Sequence, residues 1–295
     1  MSTSTADAIP PDVAGLLGRA TARLQRAGCP TPRLDTELLL ADCLGVGREW
    51  LLAHPGRQPD AESRERFEDM ICRRCTREPV AYIRGRREFW SLEIAVDRRV
   101  LVPRPESETI IEAALALLDR HRHFFFADVG TGSGCLAAAL AVEFPRCHGL
   151  ACDSSAAALE VAAANLRRLE LSGRVECARG DLLDPLPAGR CGLIVCNPPY
   201  IPTAELERLG REVRIHEPRP ALDGGADGLA VIRRLVGAAP RRLAPGGWLL
   251  CEVGPGQAGP VAGLCREAGF SETELFADLG DTPRVVAARM SCKRL

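Results

Sequence analysis

The sequence predicts an α/β protein whose larger part is a doubly wound, mostly parallel sheet, preceded by a small helical domain and a β-hairpin. Two observations carry that expectation. Apolar residues recur at helical spacing through roughly the first 78 positions and switch to alternation around Phe89. Beyond Glu106 they fall into short apolar runs that alternate with helical segments, the pattern of a sheet with helices on both faces. A length of 295 residues suits one large domain with a smaller companion, and 46% hydrophobic against 26% charged residues is a globular rather than a disordered composition.

Taken in order, residues 1–78 form the helical domain. Leu16, Leu17, Ala20 and Leu24 mark one helical face and Leu34, Leu38, Leu39 and Leu40 another. Gly28, Pro30 and Pro32 separate the two, and a second Pro/Gly break lies between His54 and Pro59. Residues 79–105 form a hairpin linker, with alternation over 81–101 through Phe89, Leu92, Ile94 and Val96. In the third region, 106–295, strands are expected at 124–129, 148–152, 174–178, 193–196 and 248–253, with helices at 135–143, 156–169, 228–243 and 261–268. Two closing strands, 272–276 and 284–288, have no long helix between them, which places one antiparallel strand near the sheet edge.

Charge and cysteine usage narrow the function classes. The formal net charge is −1, from 38 basic and 39 acidic residues, so no global positive field draws a phosphate backbone and a dedicated nucleic-acid binder is disfavoured. Residues 1–10 show no basic segment followed by an apolar run, and no apolar stretch is long enough to span a membrane, so the expectation is a cytoplasmic protein without a membrane partner. The thirteen cysteines are scattered, and Cys152, Cys196 and Cys251 lie in apolar runs, as reduced buried thiols do. Cys72 and Cys75 make one C-x-x-C with no second pair at zinc-site spacing, so no metal is expected.

The run Asp128-Val129-Gly130-Thr131-Gly132-Ser133-Gly134 stands where the first strand of the alternating region ends and a helix begins. Ligands of α/β sheets bind there. Glycines let the backbone turn and approach a ligand, and free amides at a helix start favour an anionic group such as the carboxylate of a methionine moiety. Asp153 follows 23 residues after Gly130, at the end of the second strand, suited to hold ribose hydroxyls. Asp181, in Gly180-Asp181-Leu182 after the third strand, can accept from an adenine amino group. A nicotinamide enzyme competes for this reading, but it normally carries G-x-G-x-x-G, and here the third glycine comes after a single intervening residue.

Asn197-Pro198-Pro199-Tyr200 follows the fourth strand, at the same edge of the sheet. An amide or aniline-like nitrogen is a poor nucleophile because its lone pair is delocalised. An enzyme acting on one must hold both N–H groups and aim the lone pair at the methyl being transferred. The Asn197 side-chain oxygen and the Pro198 carbonyl can supply two acceptors, two prolines stiffen the turn, and the Tyr200 ring can pack over a planar amide or base.

With these motifs the chain resembles the release factor glutamine methyltransferase family (the HemK or PrmC family) of the class I methyltransferases, over nearly its whole length. The resemblance also rests on Arg33-Leu34-Asp35-Thr36-Glu37-Leu38-Leu39-Leu40, on Glu78-Pro79-Val80-Ala81-Tyr82 with Gly85 and Glu88-Phe89-Trp90, and on Val102-Pro103-Arg104-Pro105-Glu106-Ser107-Glu108. It continues in Glu217-Pro218, in Ala221-Leu222-Asp223-Gly224-Gly225-Ala226-Asp227-Gly228-Leu229, and in Glu252-Val253-Gly254 with Gln257. N-P-P-Y alone is shared with adenine-N6 and guanine-N2 methyltransferases; the helical segment with P-R-P and G-G-x-D-G-L is more specific.

The resemblance implies a seven-stranded, Rossmann-like methyltransferase domain using S-adenosyl-L-methionine as cofactor. Gly130, Thr131, Gly132, Ser133, Gly134, Asp153, Asp181, Leu182 and Asn197 would contact the cofactor, and Asn197, Pro198, Pro199 and Tyr200 the acceptor amide. The implied reaction is direct methyl transfer to the glutamine amide nitrogen in the Gly-Gly-Gln motif of peptide chain release factors, with Asn197, Pro198 and Tyr200 catalytic and no prior base. His216 is better read as structural. Two positions depart from the family: Leu182 stands where an aromatic residue is often found, which bears on cofactor affinity, and Ser107 replaces the usual threonine. Another protein glutamine or a small-metabolite nitrogen is the alternative acceptor. A nucleic-acid adenine is less favoured, because 4% aromatic residues and a slightly acidic chain suit base flipping poorly.

Overall fold

The computed structural model describes residues 11–292. Residues 1–10, read above as carrying no targeting signal, lie outside that range. The chain divides into two compact units, one ending at Gly85 and the other beginning at Arg86.

The first unit is helical. Helix α1 (Val13–Arg26) is capped by Asp12, whose carboxylate accepts from the Gly15 N–H. It is followed by α2 (Pro32–Leu44), α3 (Arg48–Ala53), α4 (Ala61–Cys75) and α5 (Val80–Arg84). Pro32 opens α2 rather than merely ending the helix before it, since its missing N–H is not needed in a first turn. Leu17, Leu24, Leu39, Leu40, Phe67 and Ile71 form the core. The polar residues of the R-L-D-T-E-L run brace this core: buried Asp35 pairs with buried Arg74 at 2.8 Å, and Glu37 receives Arg33 and Arg48. Cys72 and Cys75 both sit on α4, and no metal-ligand cluster occurs among the described residues.

The second unit opens with a hairpin, β1 (Arg86–Phe89) and β2 (Leu92–Ala95), shorter than the alternating stretch because residues 80–84 are helical. Its two turn residues, Trp90 and Ser91, have φ of 52° and 58°, a conformation that usually selects Asn or Gly. Side-chain bonds hold it: the Trp90 N–H donates to Glu108 and its indole N–H to Glu143, both at 2.8 Å.

Helix α6 (Glu108–Leu117), for which the sequence reading had no element, leads into β3 (Phe125–Val129), α7 (Cys135–Glu143), β4 (His148–Asp153), α8 (Ala156–Arg168), β5 (Val175–Arg179) and β6 (Cys191–Cys196). A long excursion containing α9 (Arg211–His216) returns through α10 (Ala230–Ala238), β7 (Leu243–Glu252), α11 (Ala258–Glu267), β8 (Glu272–Ala277) and β9 (Pro283–Arg289). The helix expected at 228–243 is shorter because Pro240 lies in a tight 3-10 turn, and β7 begins five residues earlier than expected.

These strands form a seven-stranded sheet in the order β5-β4-β3-β6-β7-β9-β8. It is parallel from β5 through β7, while β9 pairs antiparallel with both β7 and β8, so the last strand inserts beside the edge. Consecutive strands run outward from β3 on one side before the chain crosses to β6 on the other. This reversal at β3/β6 opens a crevice at the carboxyl edge of the sheet, and both motifs fall there.

Candidate functional site

The glycine loop joins β3 to α7. Gly130, Gly132 and Gly134 all adopt positive φ (71°, 54° and 79°). A side chain at Gly134 would press on Ala162 of α8 at 3.1 Å, so this glycine lets α7 and α8 approach. At Gly130 a Cβ would meet nothing within 4 Å, and the open space belongs to the cleft. Most of the loop amides bond within the protein. Those of Gly130 and Thr131 donate to the Cys152 carbonyl, that of Gly132 to Asp153 Oδ2 at 3.0 Å, and that of Gly134 to Thr131. The loop therefore fits a ligand by shape more than through a row of free amides.

Asp128 sets the loop from below. It is fully buried, and its Oδ2 accepts from the Thr131 hydroxyl at 2.6 Å and the Ala137 N–H at 3.1 Å, while Oδ1 has no partner among the described residues. Burial pushes its carboxyl up to about 7. Asn165 of α8, also buried, donates to the Ser133 carbonyl and exchanges two bonds with Ala95, tying the hairpin end to the loop.

Gly130, Thr131, Gly132, Ser133, Asp153, Asp181, Leu182, Asn197 and Pro199 line one cavity of about 300 Å³. Gly134 packs behind it for the reason given. The Asp153 carboxylate stands at the cleft, oriented by the Gly132 and Ser155 N–H groups. Asp181 is exposed and ion-paired with Arg234, which also lines the cavity. Leu182 holds φ at 49°, a backbone conformation that a leucine adopts only when its surroundings impose it.

On the other wall, Asn197 Nδ2 donates to Ser107 Oγ at 2.9 Å, and Ser107 Oγ donates to Glu252 Oε2 at 2.6 Å. Burial pushes the Glu252 carboxyl up to about 7 and the Tyr200 phenol, which also bonds Glu252, up to about 12. Pro198 and Tyr200 fall outside the cavity lining. Tyr200 packs instead against the apolar core of the sheet, and its carbonyl receives Gln257 Nε2 at 2.9 Å.

The remaining motifs buttress this loop. The Ile201 N–H donates to Leu222, and the Gly224 N–H returns a bond to Ile201. Asp223 receives the Thr203 hydroxyl, and Gly228 lies so close that a Cβ would be 2.3 Å from the Tyr200 carbonyl oxygen. Buried Glu217 takes Arg104 at 2.6 Å and the Val102 N–H, fastening P-R-P to E-P, and both segments line the cavity. His216 closes α9 and is not among the lining residues.

Sequence reasoning assigned no role to Ser107, Glu252, Asp128 or Asn165. Ser107, Glu252 and Asp128 lie within V-P-R-P-E-S-E, E-V-G and D-V-G-T-G-S-G, and those motifs are their only signal in the sequence; Asn165 has none.

Residues 15–85 match the model for the PrmC N-terminal domain and residues 112–257 the methyltransferase small domain. A release factor glutamine methyltransferase of Koribacter versatilis is 42% identical over 92% of this chain and 95% of its own length. The chain belongs to the release factor glutamine methyltransferase family. Others in the family are similarly near: that of Caulobacter vibrioides is 42% identical over 90% of this chain and 91% of its own, and one from Xylella fastidiosa 39% over 95% and 98%. Among solved structures, the N-terminal domain of human METTL16 in complex with SAH superposes with a TM-score of 0.51 at 18% identity, covering 70% of this chain and 77% of that one. A Pyrococcus furiosus methyltransferase gives 0.50 at 18%, over 68% and 89%. At that identity these two structures share the fold.

The cleft fits the family's cofactor, S-adenosylmethionine. It offers a carboxylate at Asp153 held by backbone amides, an apolar wall including Leu182 and Pro103, and open space over Gly130.

Proposed function

We propose that this enzyme transfers the methyl of S-adenosylmethionine to the side-chain amide nitrogen of the glutamine in the Gly-Gly-Gln motif of peptide chain release factors. The observation that carries the reading is the meeting of the glycine loop and Asn197 in one cleft, in a chain 42% identical to a release factor glutamine methyltransferase over 92% of its length. When bound, the cofactor supplies an electrophilic methyl. Gly130 to Gly134, Asp153, Asp181 and Leu182 would hold it, with Asp153 on the ribose. Asn197 Oδ1 would accept one amide N–H in the cavity, and the backbone carbonyl of Pro198, a residue buried outside the lining, the other, aiming the nitrogen lone pair along the transfer line. As the nitrogen gains positive charge its N–H groups become better donors, so these acceptors stabilise the transition state more than the ground state. Pro199 stiffens the loop, and Tyr200, anchored on Glu252, holds it in place. No base is needed before transfer.

Among the described residues no helix is long and apolar enough to cross a membrane, and none of the thirteen cysteines is joined in a disulfide. Both suit an enzyme that meets release factors in the cytoplasm. We assign recognition of the protein substrate to the helical unit, which has its own core and none of the residues given a chemical role.

The test is incubation with methyl-labelled cofactor and a purified release factor, with the label located by mass spectrometry. Label on the Gly-Gly-Gln glutamine is expected; label elsewhere, or none, overturns the assignment. A chain lacking the helical unit that still melts cooperatively should methylate a short Gly-Gly-Gln peptide nearly as well as before and an intact release factor far less. Equal rates on the intact factor would remove recognition from that unit.

A further inference from the structure

Asn197 can serve the reaction only in one of its two amide orientations. Rotation by a half-turn exchanges the Oδ1 acceptor for the Nδ2 donor, and the two have nearly the same shape. The structure contains a device that chooses between them. Ser107 Oγ lies between Asn197 Nδ2 and Glu252 Oε2, at 2.9 Å and 2.6 Å, and both Ser107 and Glu252 are buried. A hydroxyl has one proton, and an ionised carboxylate only accepts. The Ser107 proton therefore goes to Glu252, and the oxygen meets Asn197 with lone pairs alone. It accepts Nδ2 and repels Oδ1.

We propose that Glu252, acting through Ser107, is a positioning residue that fixes the Asn197 amide with its oxygen presented to the acceptor in the cleft. The proposal rests on the methyl-transfer reading of this site and adds to it the group that sets the polarity of the catalytic amide. Glu252 is not among the residues lining the cavity. The groups that face it are the Ser107 hydroxyl, the Tyr200 phenol, Arg284 and Glu106, and Arg284 is itself paired with Asp278 at 2.7 Å. Burial pushes Glu252 up to about 7. A protonated Glu252 can donate to Ser107, whose own proton is then free for Asn197 Oδ1, and the unproductive orientation becomes allowed. Glu252→Gln has the same effect at every pH, because an amide both donates and accepts.

The experiment compares the full-length enzyme with Ser107→Ala, Ser107→Thr and Glu252→Gln, using a Gly-Gly-Gln peptide. Ser107→Ala and Glu252→Gln should lower kcat by about tenfold or more, with peptide KM and cofactor Kd moving by less than about threefold. Ser107→Thr, which keeps the hydroxyl, should stay within about threefold of the parent. The parent's kcat should fall as pH drops through about 7, and the Glu252→Gln profile should be flat across that range. A merely structural role would lower the melting temperature with kcat and would not remove the pH dependence. A second readout needs no substrate: in asparagine-15N-labelled protein one Asn197 Nδ2 proton should be protected from exchange in the parent and in Ser107→Thr, and exposed in Ser107→Ala. Parent-like kcat in Ser107→Ala, or an unprotected Asn197 amide in the parent, overturns the relay. A protected amide in an enzyme that methylates no glutamine overturns the acceptor assignment instead.

Discussion

Gly228→Ala should slow catalysis sharply from a position outside the cavity. Gly228 has φ 77°, and an added Cβ would lie 2.3 Å from the Tyr200 carbonyl oxygen and 2.6 Å from Gln257 Nε2. Alanine in the left-handed region costs about 1–2 kcal/mol. Reaching ordinary van der Waals separation requires a shift of roughly 1 Å, and the atom that must move belongs to the N-P-P-Y loop. The shift also strains the 2.9 Å bond from Gln257 to Tyr200, worth about 1 kcal/mol. The expected loss of stability is therefore about 2–3 kcal/mol. A displacement of this size next to Asn197 should lower kcat by about a hundredfold. Cofactor affinity should hold, because Gly228 does not line the cavity. Denaturant unfolding, titration calorimetry with S-adenosylhomocysteine and steady-state kinetics measure the three quantities. Gly237→Ala is the control: it lies exposed in α10 with nothing within 4 Å, and should gain up to about 1 kcal/mol with unchanged turnover. Parent-like kcat in Gly228→Ala, or a loss of cofactor affinity equal to its loss of kcat, would refute the idea that the G-G-x-D-G-L segment shapes the loop.

Asn197→Ala should bind cofactor nearly as the parent does and lose about 10²–10³ in turnover, measured by single-turnover methyl transfer; near-parental speed removes Asn197 from the chemistry. Asp153→Ala loses the acceptor of the Gly132 and Ser155 N–H groups and should weaken cofactor binding by about tenfold to a hundredfold in calorimetry, with kcat at saturation far less affected. Glu252→Gln should alter stability in a pH-dependent way. The folded-state value for Glu252, about 7, lies above its ordinary 4.5, so the parent's advantage from this group is complete below 4.5 and is lost as pH rises to about 7. The variant has no such group, so its stability relative to the parent should climb across that window by on the order of 3 kcal/mol. A difference between the two unfolding curves that stays constant with pH would show that Glu252 does not titrate there.

The strand and helix order of the second unit was legible because it is written in local signals. Runs such as 126–129 and 193–196 are buried on both faces, and helices set between them require a parallel sheet. Helix α6 escaped notice because its first residues, Glu108 and Thr109, continue a proline-rich segment and its apolar positions are too numerous to leave a clear stripe. The hairpin was expected too long, since the alternation of 81–84 is compatible with one helical turn ended by Gly85 at φ 72°.

At the site, the sequence by itself determined which backbone stretches meet: a glycine loop after β3 and N-P-P-Y after β6, each a local motif at the end of its strand. Only the tertiary structure decided what orients them. Ser107 and Glu252 are 145 residues apart and Asn197 lies 90 from Ser107, so no local spacing could reveal the chain of hydrogen bonds through them. The same holds for Glu217 with Arg104 and for Asn165 with Ala95. The physical reason is that a motif's backbone conformation is set by its own residues, through positive φ at glycine and fixed φ at proline. The polarity and charge of its side chains are set by burial and by partners that only the folded sheet brings within 3 Å.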